Sequence, residues 1–518
     1  MLLALSSKIK EIDKYSEEFL GIPVLDLMHR AGKAVADVIR NRTAPHSRVI
    51  FFAGKGNNGG DGYAAACELL RDYEVRVYDV FNMGQKNPEG KHFLSLFKEN
   101  GGEVYPLTLD EATIEYIKSA ACVVDAVFGT GINGDVPENV CRLSKIISEL
   151  VGMEKIAIDV PVGVNVDNGS VNFAAACAMT ATVSLSFVKP GLLSYPGKAY
   201  VGELIYDDLG LPRDKILDKF DFSYHYVDND LAVSMIPKRM DNSNKGSFGK
   251  ALLISGSEKY PGAAHLTLSA AVRGGTGLVT YLGEEGIIKT LLPTYPEVIY
   301  RKFVKTENIT PTKIKAAVEM SALHSATLIG SGSDNTLGLG KLVRALLTSD
   351  GSPLVIDADG INTLAAMGDC GRELIRNSPR KVILTPHPLE FARLINVSVA
   401  DVQNNRLELA VDFAAKHGCI LVLKGAATIT TDGTTTYING SGSSALAKAG
   451  SGDVLAGFIT SVIASGSDPL IAATFAAYYH GAAADALAIE FSTLGVSPSD
   501  LPRRIGEMIS ASQQMQKK

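Results

Sequence analysis

The chain has 518 residues, 46% of them hydrophobic and 20% charged, and a formal net charge of −6. That length exceeds one usual domain, so two or more are expected. There is no basic block, no interleaving of basic with aromatic residues and no apolar run of bilayer length, which argues against nucleic acid and membranes as partners.

The first residues, Met1 to Leu5, are apolar but short, lack a basic flank and run into Lys8, Lys10 and Glu11, which makes a poor signal peptide. Leu27, Met28, Ala31, Val35, Val38 and Ile39 fall at helical spacing and predict a helix over 26–39. Arg48 to Ala53 reads as a buried strand, followed by a Gly-rich loop, a helix from Tyr63 to Leu70 and a strand from Val75 to Val80. Further strands fit Cys122 to Val127, Lys155 to Val160 and Thr182 to Phe187. Strands alternating with helices imply a mostly parallel sheet covered on both faces.

Beyond residue 189 the pattern loosens through Pro190, Gly191, Pro196, Gly197, Gly202 and Pro212, and 218–230 has no clear period. A boundary is placed there, dividing the chain into 1–225 and 226–518. The alternation then restarts, with strands at Ala251 to Ser255, Thr327 to Ile329, Leu354 to Asp357, Val382 to Thr385 and Ile420 to Leu423. Thr428 to Thr431 and Thr434 to Ile438 flank Asp432-Gly433, a hairpin signal. Two Ala-rich helices follow, Val454 to Ile463 and Pro469 to Ile489, and the tail from Ser510 reads as frayed. The six cysteines are scattered without C-x-x-C and the nine histidines lack zinc-site spacing, so reduced thiols in a cytoplasmic protein are expected.

The most informative stretch is Ala449-Gly450-Ser451-Gly452-Asp453-Val454-Leu455-Ala456-Gly457. Small residues leading into a helix let backbone N–H groups converge on phosphate oxygens where the helix dipole favours negative charge. An aspartate beside that phosphate is placed to take a proton from an attacking hydroxyl. The plainer alternative makes Asp453 a helix N-cap. Four other motifs end strands in the same half: Gly330-Ser331-Gly332, Asp357-Ala358-Asp359-Gly360, Thr385-Pro386-His387-Pro388-Leu389-Glu390-Phe391, and Lys424-Gly425-Ala426-Ala427-Thr428. Ligand sites of open α/β sheets lie at the carboxyl ends of strands, so these predict one cleft for a nucleotide and a substrate.

In the first half, Gly54, Gly56 and Gly59 fit G-x-G-x-x-G, and Asp79 ends the next strand about twenty residues on. By pattern alone this is a dinucleotide fingerprint, and hydride transfer is the alternative it raises. Asn57, Asn58 and Asp61, however, crowd the place where a dinucleotide loop needs bare backbone, and look more like ligands for a cation or ribose hydroxyls. Asp125, opening Asp125 to Gly131, and Asp159, opening Asp159-Val160-Pro161-Val162-Gly163, close two further strands.

These first-half motifs, with Lys189-Pro190-Gly191, resemble the NAD(P)H-hydrate epimerase family over about residues 5–215. The resemblance implies a Rossmann-like parallel-sheet domain that interconverts the R and S forms of hydrated NADH or NADPH. It implies a potassium ion at Asn58, Asp125 and the loop at Val162. Substrate would touch Asn57, Asn58, Gly59, Gly60, Asp61, Gly129, Thr130, Gly131, Ile132, Asn133, Gly134, Asp135 and Asp159, and Asp159 is the candidate acid or base. The family usually has Ser where Val162 stands, and often a basic residue where Ile132 to Asp135 stand.

The second-half motifs, in order from Gly246 to Gly457, resemble the ADP-dependent NAD(P)H-hydrate dehydratase family, within the ribokinase-like α/β fold, over about residues 235–510. By that resemblance Lys424, Gly425, Ala426, Ala427, Thr428, Asn439, Ser443, Gly450, Ser451 and Gly452 hold ADP or ATP, with magnesium beside the phosphates. Gly332, His387, Pro388, Glu390, Arg393 and Asp453 meet the hydrated nicotinamide, and Asp453 deprotonates its C6 hydroxyl for attack on the terminal phosphoryl group. The family usually has Gly where Leu389 stands and Asn where Ser443 stands. The resulting expectation is a bifunctional repair enzyme, a homo-oligomer acting on small molecules. The runner-up is a vitamin-type kinase fused to a Rossmann-like ligand-binding domain.

Overall fold

The computed structural model describes residues 1–81, 87–129 and 136–515. The chain separates into two compact units, Leu2–Tyr224 and His225–Lys518, with Met1 grouped with the second.

The first unit is a sheet of seven parallel strands: β1 Arg48–Ala53, β2 Glu74–Asp79, β3 Glu103–Pro106, β4 Cys122–Ala126, β5 Glu154–Ile158, β6 Ala181–Leu185 and β7 Glu203–Asp207, in the order β3-β2-β1-β4-β5-β6-β7. β1 is inaccessible from Val49 to Ala53, as a strand covered on both faces must be. The strand order reverses between β1 and β4, which opens a crevice at their carboxyl ends. The edge strands β3 and β7 were not anticipated. They are short and carry charged, partly exposed residues, so neither shows a buried apolar run.

Two helices precede the sheet, α1 Ser6–Leu20 and α2 Val24–Arg42. A third, α3 Asn57–Leu69, begins six residues earlier than the sequence predicts, so the Asn-Asn-Gly-Gly-Asp-Gly run is helix rather than loop. Its glycines answer packing demands. A Cβ at Gly59 would strike the Gly54 carbonyl, and one at Gly60 would lie 2.6 Å from the Met28 sulfur. Weak helix propensity at those positions is overridden by close contact. Helices α4 Pro88–Glu99, α5 Glu111–Lys118 and α6 Glu138–Glu149 follow β2, β3 and β4.

In the second unit, β8 Lys250–Ile254, β9 Leu278–Gly283, β10 Ile299–Lys302, β11 Ala326–Ile329, β12 Leu354–Ile356, β13 Val382–Leu384, β14 Ile420–Leu423, β15 Ile429–Thr431 and β16 Thr436–Asn439 lie in the order β16-β15-β14-β13-β12-β11-β8-β9-β10. The run from β14 to β10 is parallel. The hairpin β15–β16 adds antiparallel strands, with Thr431 opposite Thr436 across the turn at Asp432-Gly433. Helices α7 Pro261–Arg273, α8 Pro388–Ile395, α9 Ser451–Ala464, α10 Pro469–Gly495 and α11 Leu501–Met515 bear on the site or the core. The tail expected to fray is helical as far as Met515. Leu501, Ile505 and Ser512 are buried along one face, and that tertiary contact holds what local sequence would not. All six cysteines are free. Among the described residues no helix is long and apolar enough to cross a membrane.

Candidate functional sites at the carboxyl ends of both sheets

In the first unit a cavity of about 690 Å³ opens at the β1–β4 reversal, lined by Asn57, Asn58, Asp61, Gly129, Asp159 and Lys189 among others. That volume suits a small-molecule site. Asp159 follows β5 with a left-handed φ of +66°, and Ser186 follows β6 with the same value. Strain of this kind in non-glycine residues costs on the order of 1–3 kcal/mol and collects at functional sites. Lys189, 1% exposed, donates to Asp159 Oδ1 and to the Leu185 carbonyl at 2.7 Å, so the buried ammonium is paired. The Leu185 N–H donates to the same aspartate oxygen at 3.3 Å.

Asn58 is 5% exposed. Its Nδ2 donates to the Phe128 carbonyl at 2.6 Å, while its Oδ1 is buried without a partner among the described residues. A buried amide oxygen left unmatched is costly unless a cation or donor meets it. Asp125 accepts from Val127 N–H at 3.1 Å and from Val162 N–H at 2.8 Å, and burial raises its carboxyl to about 6. The Val162 side chain lies in an apolar cluster with Val127 and Ala175, so only its carbonyl is available to a cation. The predicted contacts Thr130, Gly131, Ile132, Asn133, Gly134 and Asp135 lie outside the described residues.

The dinucleotide fingerprint loses its acid. Asp79 is fully buried, accepts from Phe81 N–H at 3.1 Å and from the Tyr63 hydroxyl at 3.4 Å, and does not line the cavity. A Cβ at Gly54 would strike the Val127 carbonyl, so packing by itself requires glycine there.

In the second unit the motifs end adjacent strands, as the register Ile329, Ile356, Leu384 and Leu421 across β11 to β14 requires. Asp357, 1% exposed, ties these ends together. Its Oδ1 accepts from Lys424 Nζ at 3.0 Å and Thr385 Oγ1 at 2.7 Å, and its Oδ2 accepts from Ser331 Oγ at 2.9 Å. Ala358, immediately after it, has a left-handed φ of +46°. The sequence reading quoted this motif but did not assign Asp357 to the site. A carboxylate that bridges strands distant in sequence has no local signature.

Asp453 sits in the first turn of α9, whose cap is Gly450 with a φ of +99°. It is therefore not the N-cap of the plainer reading. A Cβ on Gly452 would lie 3.1 Å from Lys424 Nζ, which places the ammonium beside the opening amides of α9. Burial first, and then the negative charge of Asp357, raises the Asp453 carboxyl to about 7, with Lys424 opposing. A base at that value is matched to neutral pH.

His387 caps α8: its Nδ1 accepts from the Leu389 and Glu390 N–H groups, both at 3.2 Å, while Glu390 accepts from the His387 N–H at 2.8 Å. Its Nε2 lies 3.2 Å from Glu390 Oε1. Desolvation pushes the imidazole down and pushes Glu390 up to about 7, so a carboxyl that titrates near neutrality faces the histidine. Leu389 contributes only its N–H to this cap, and its side chain is exposed. Pro388 opens the helix. Arg393 is exposed and donates to Asn362 at 3.0 Å. Gly332 packs so tightly on Tyr260 and Ala263 that no Cβ fits.

The Lys424–Thr428 segment carries left-handed φ values at Gly425 and Ala427, +133° and +52°. It is braced by Arg406, which is buried and donates to the Leu423 and Lys424 carbonyls at 3.3 and 3.2 Å, a support the sequence reading missed. Ala426 is exposed, and the Thr428 hydroxyl turns back to the Gly425 carbonyl at 3.0 Å. Asn439 is buried, with its amide engaged by the Ser441 and Ala477 carbonyls, whereas Ser443 is exposed. Ser451 is buried at the start of α9, its hydroxyl without a partner among the described residues. Among the described residues no group of three or more His, Cys, Asp or Glu side chains forms a metal cage.

Comparison with known proteins gives two family matches: NAD(P)H-hydrate dehydratase over residues 251–507, and YjeF-related protein N-terminus over 24–191. A bifunctional NAD(P)H-hydrate repair enzyme of Moorella thermoacetica is 31% identical across 97% of this chain and 95% of its own. One from Thermofilum pendens is 32% identical across 99% of this chain and 97% of its own. A ribokinase-like superfamily protein of Enterococcus faecalis superposes with a TM-score of 0.50 at 24% identity, covering 57% of this chain and 98% of that one, a likeness of fold.

Proposed function

The chain belongs to the family of bifunctional NAD(P)H-hydrate repair enzymes, and from that premise we propose how its two sites divide the work. The enzyme acts in nicotinamide nucleotide repair. The 1–225 portion equilibrates the R and S epimers of the hydrate, with Asp159 moving a proton. The 226–518 portion dehydrates the S form at the expense of ADP or ATP. Asp453 takes the proton of the C6 hydroxyl, and the oxygen attacks the terminal phosphoryl group beside Gly450 to Gly452. The ring-nitrogen lone pair then expels phosphate, a far better leaving group than hydroxide, leaving a C6 iminium, and loss of a C5 proton to solvent or to the departing phosphate restores the dihydropyridine. The observation that carries this reading is an Asp453 carboxyl held at about 7 at the opening of α9, next to the Lys424 ammonium.

Magnesium would neutralise phosphate charge as the nucleotide's companion. Potassium fits the first site: Asn58 Oδ1, Asp125 and the Val162 carbonyl would hold it, and the orphaned Asn58 oxygen is the feature that asks for a cation. A homo-oligomer and a cytoplasmic location complete the proposal.

The test is incubation with mixed hydrate epimers, ADP and magnesium, followed at the dihydronicotinamide absorbance band. Full recovery of NADH, beyond the rate of spontaneous epimerisation, is expected. Phosphate retained on the substrate would favour the kinase reading instead.

A further inference from the structure

Helix α1 buries Ile9, Ile12 and Ser16, a stripe at helical spacing, and Asp13 falls beside that stripe rather than on the solvent face. A carboxylate beside an apolar face breaks the pattern that folds the helix, and such breaks concentrate at functional positions. Asp13 lines the first-unit cavity together with Asp61 of α3, Asp159 after β5 and Lys189 after β6. Lys10, on the same helix, and Lys55, in the loop after β1, also line it, from exposed positions.

The Asp13, Asp61 and Asp159 carboxyls thus share one buried ammonium, and that ammonium is already bonded to Asp159. Like charges brought together in a poorly solvated site disfavour one another's ionised form. Burial pushes Asp61 well above its ordinary value, with Asp159 and Asp13 adding to it and Lys189 opposing. Asp13 is raised to about 6, chiefly by burial, with Lys189 pulling it back and Asp159 pushing it up. At that value its proton exchanges within reach of neutral pH.

We infer that Asp13, delivered by α1, is a second proton-transfer residue of this cavity, working with Asp159 on the C6 oxygen of the hydrate. This rests on the assignment of epimerisation to the first unit. Inverting C6 through loss and return of water needs an acid for the departing oxygen and a base for the arriving one. Asp13 in its acid form protonates the C6 hydroxyl. The C6–O bond breaks with its electron pair on oxygen, the ring-nitrogen lone pair fills the gap, and water leaves. Water then adds to the other face of C6, the nitrogen lone pair is restored, and the proton released goes to Asp159. One C–O bond is broken and one made, nothing is oxidised, and exchange with solvent resets the two carboxyls.

The experiment uses the full chain without nucleotide and follows R-to-S interconversion by chromatography, with nucleotide-driven dehydration of the S form as a second readout. Asp13→Asn is expected to lower kcat for epimerisation by about 100-fold, the scale of general acid–base catalysis, with KM little changed and dehydration intact. Asp13→Glu is expected to restore a measurable part, and a limb near pH 6 in the wild-type profile is expected to vanish in Asp13→Asn. Asp13→Asn turning over at the wild-type rate would overturn the proposal, as would a loss confined to KM or one that Asp13→Glu does not relieve. Failure of the unsubstituted chain to interconvert the epimers would instead refute the assignment of the reaction to this cavity.

Discussion

Lys424 Nζ lies 3.0 Å from Asp357 Oδ1, the two side chains 18% and 2% exposed, and this pair sits under the start of the helix that carries Asp453. The buried carboxylate raises Asp453, while the ammonium it holds faces the place where phosphate charge is expected. Asp357→Asn removes a negative charge near Asp453 and frees the positive charge of Lys424, and both changes lower the Asp453 pKa. The acid limb of kcat/KM for dehydration therefore moves to lower pH, as a pH–rate profile will record. Breaking a buried pair from one side also costs about 3–5 kcal/mol of stability.

Asp453→Asn should bind nucleotide as the parent does while dehydration falls by about 10²–10⁴-fold, measurable by nucleotide titration and turnover. It should also change stability with pH in a defined sense. The Asp453 carboxyl stands at about 7 in the folded chain against an ordinary value of 3.8, so the native state binds the extra proton between those values. Parent stability falls as pH rises from about 4 through about 7, and the substitution removes that fall. Melting curves of the two proteins should diverge toward alkaline pH, and parallel curves would contradict the raised value.

Potassium should accelerate epimerisation, and Asn58→Leu should abolish the response by deleting the unpartnered oxygen. Val162→Ser is the informative companion. If the ligand is the carbonyl, the potassium response persists, while a hydroxyl placed in the apolar cluster costs about 1–3 kcal/mol. A weakened potassium response in Val162→Ser would overturn the carbonyl assignment.

Gly54→Ala drives a methyl group into the Val127 carbonyl, so the carboxyl ends of β1 and β4 must separate. Epimerisation should be lost with an early thermal transition, while dehydration remains. Wild-type epimerisation in Gly54→Ala would show that the crevice tolerates a displacement the packing forbids.

The catalytic motifs were legible because each is a short run of residues whose chemistry is local: glycines before an aspartate, an aspartate closing an apolar strand, a hairpin at Asp432-Gly433. The start of α3 was misread because its glycines answer contacts with Gly54 and Met28, which no local rule contains. The helical tail was misread for the same reason, since only tertiary burial sustains it. Asp79 fitted a fingerprint by spacing, yet its carboxyl points into the core to Tyr63 and Phe81 N–H.

By itself the amino-acid order determined which strand ends carry acids, amides and glycines, because alternation and small-residue turns are written in consecutive positions. Only the folded chain decided that Asp357 joins four of those ends, that Asn58 leaves an oxygen unmatched, and that Asp13 reaches the cavity from a helix about 150 residues before Asp159. The reason is physical: charge, burial and unmet hydrogen bonds depend on distance through space, and parallel strands bring together residues that the chain keeps far apart.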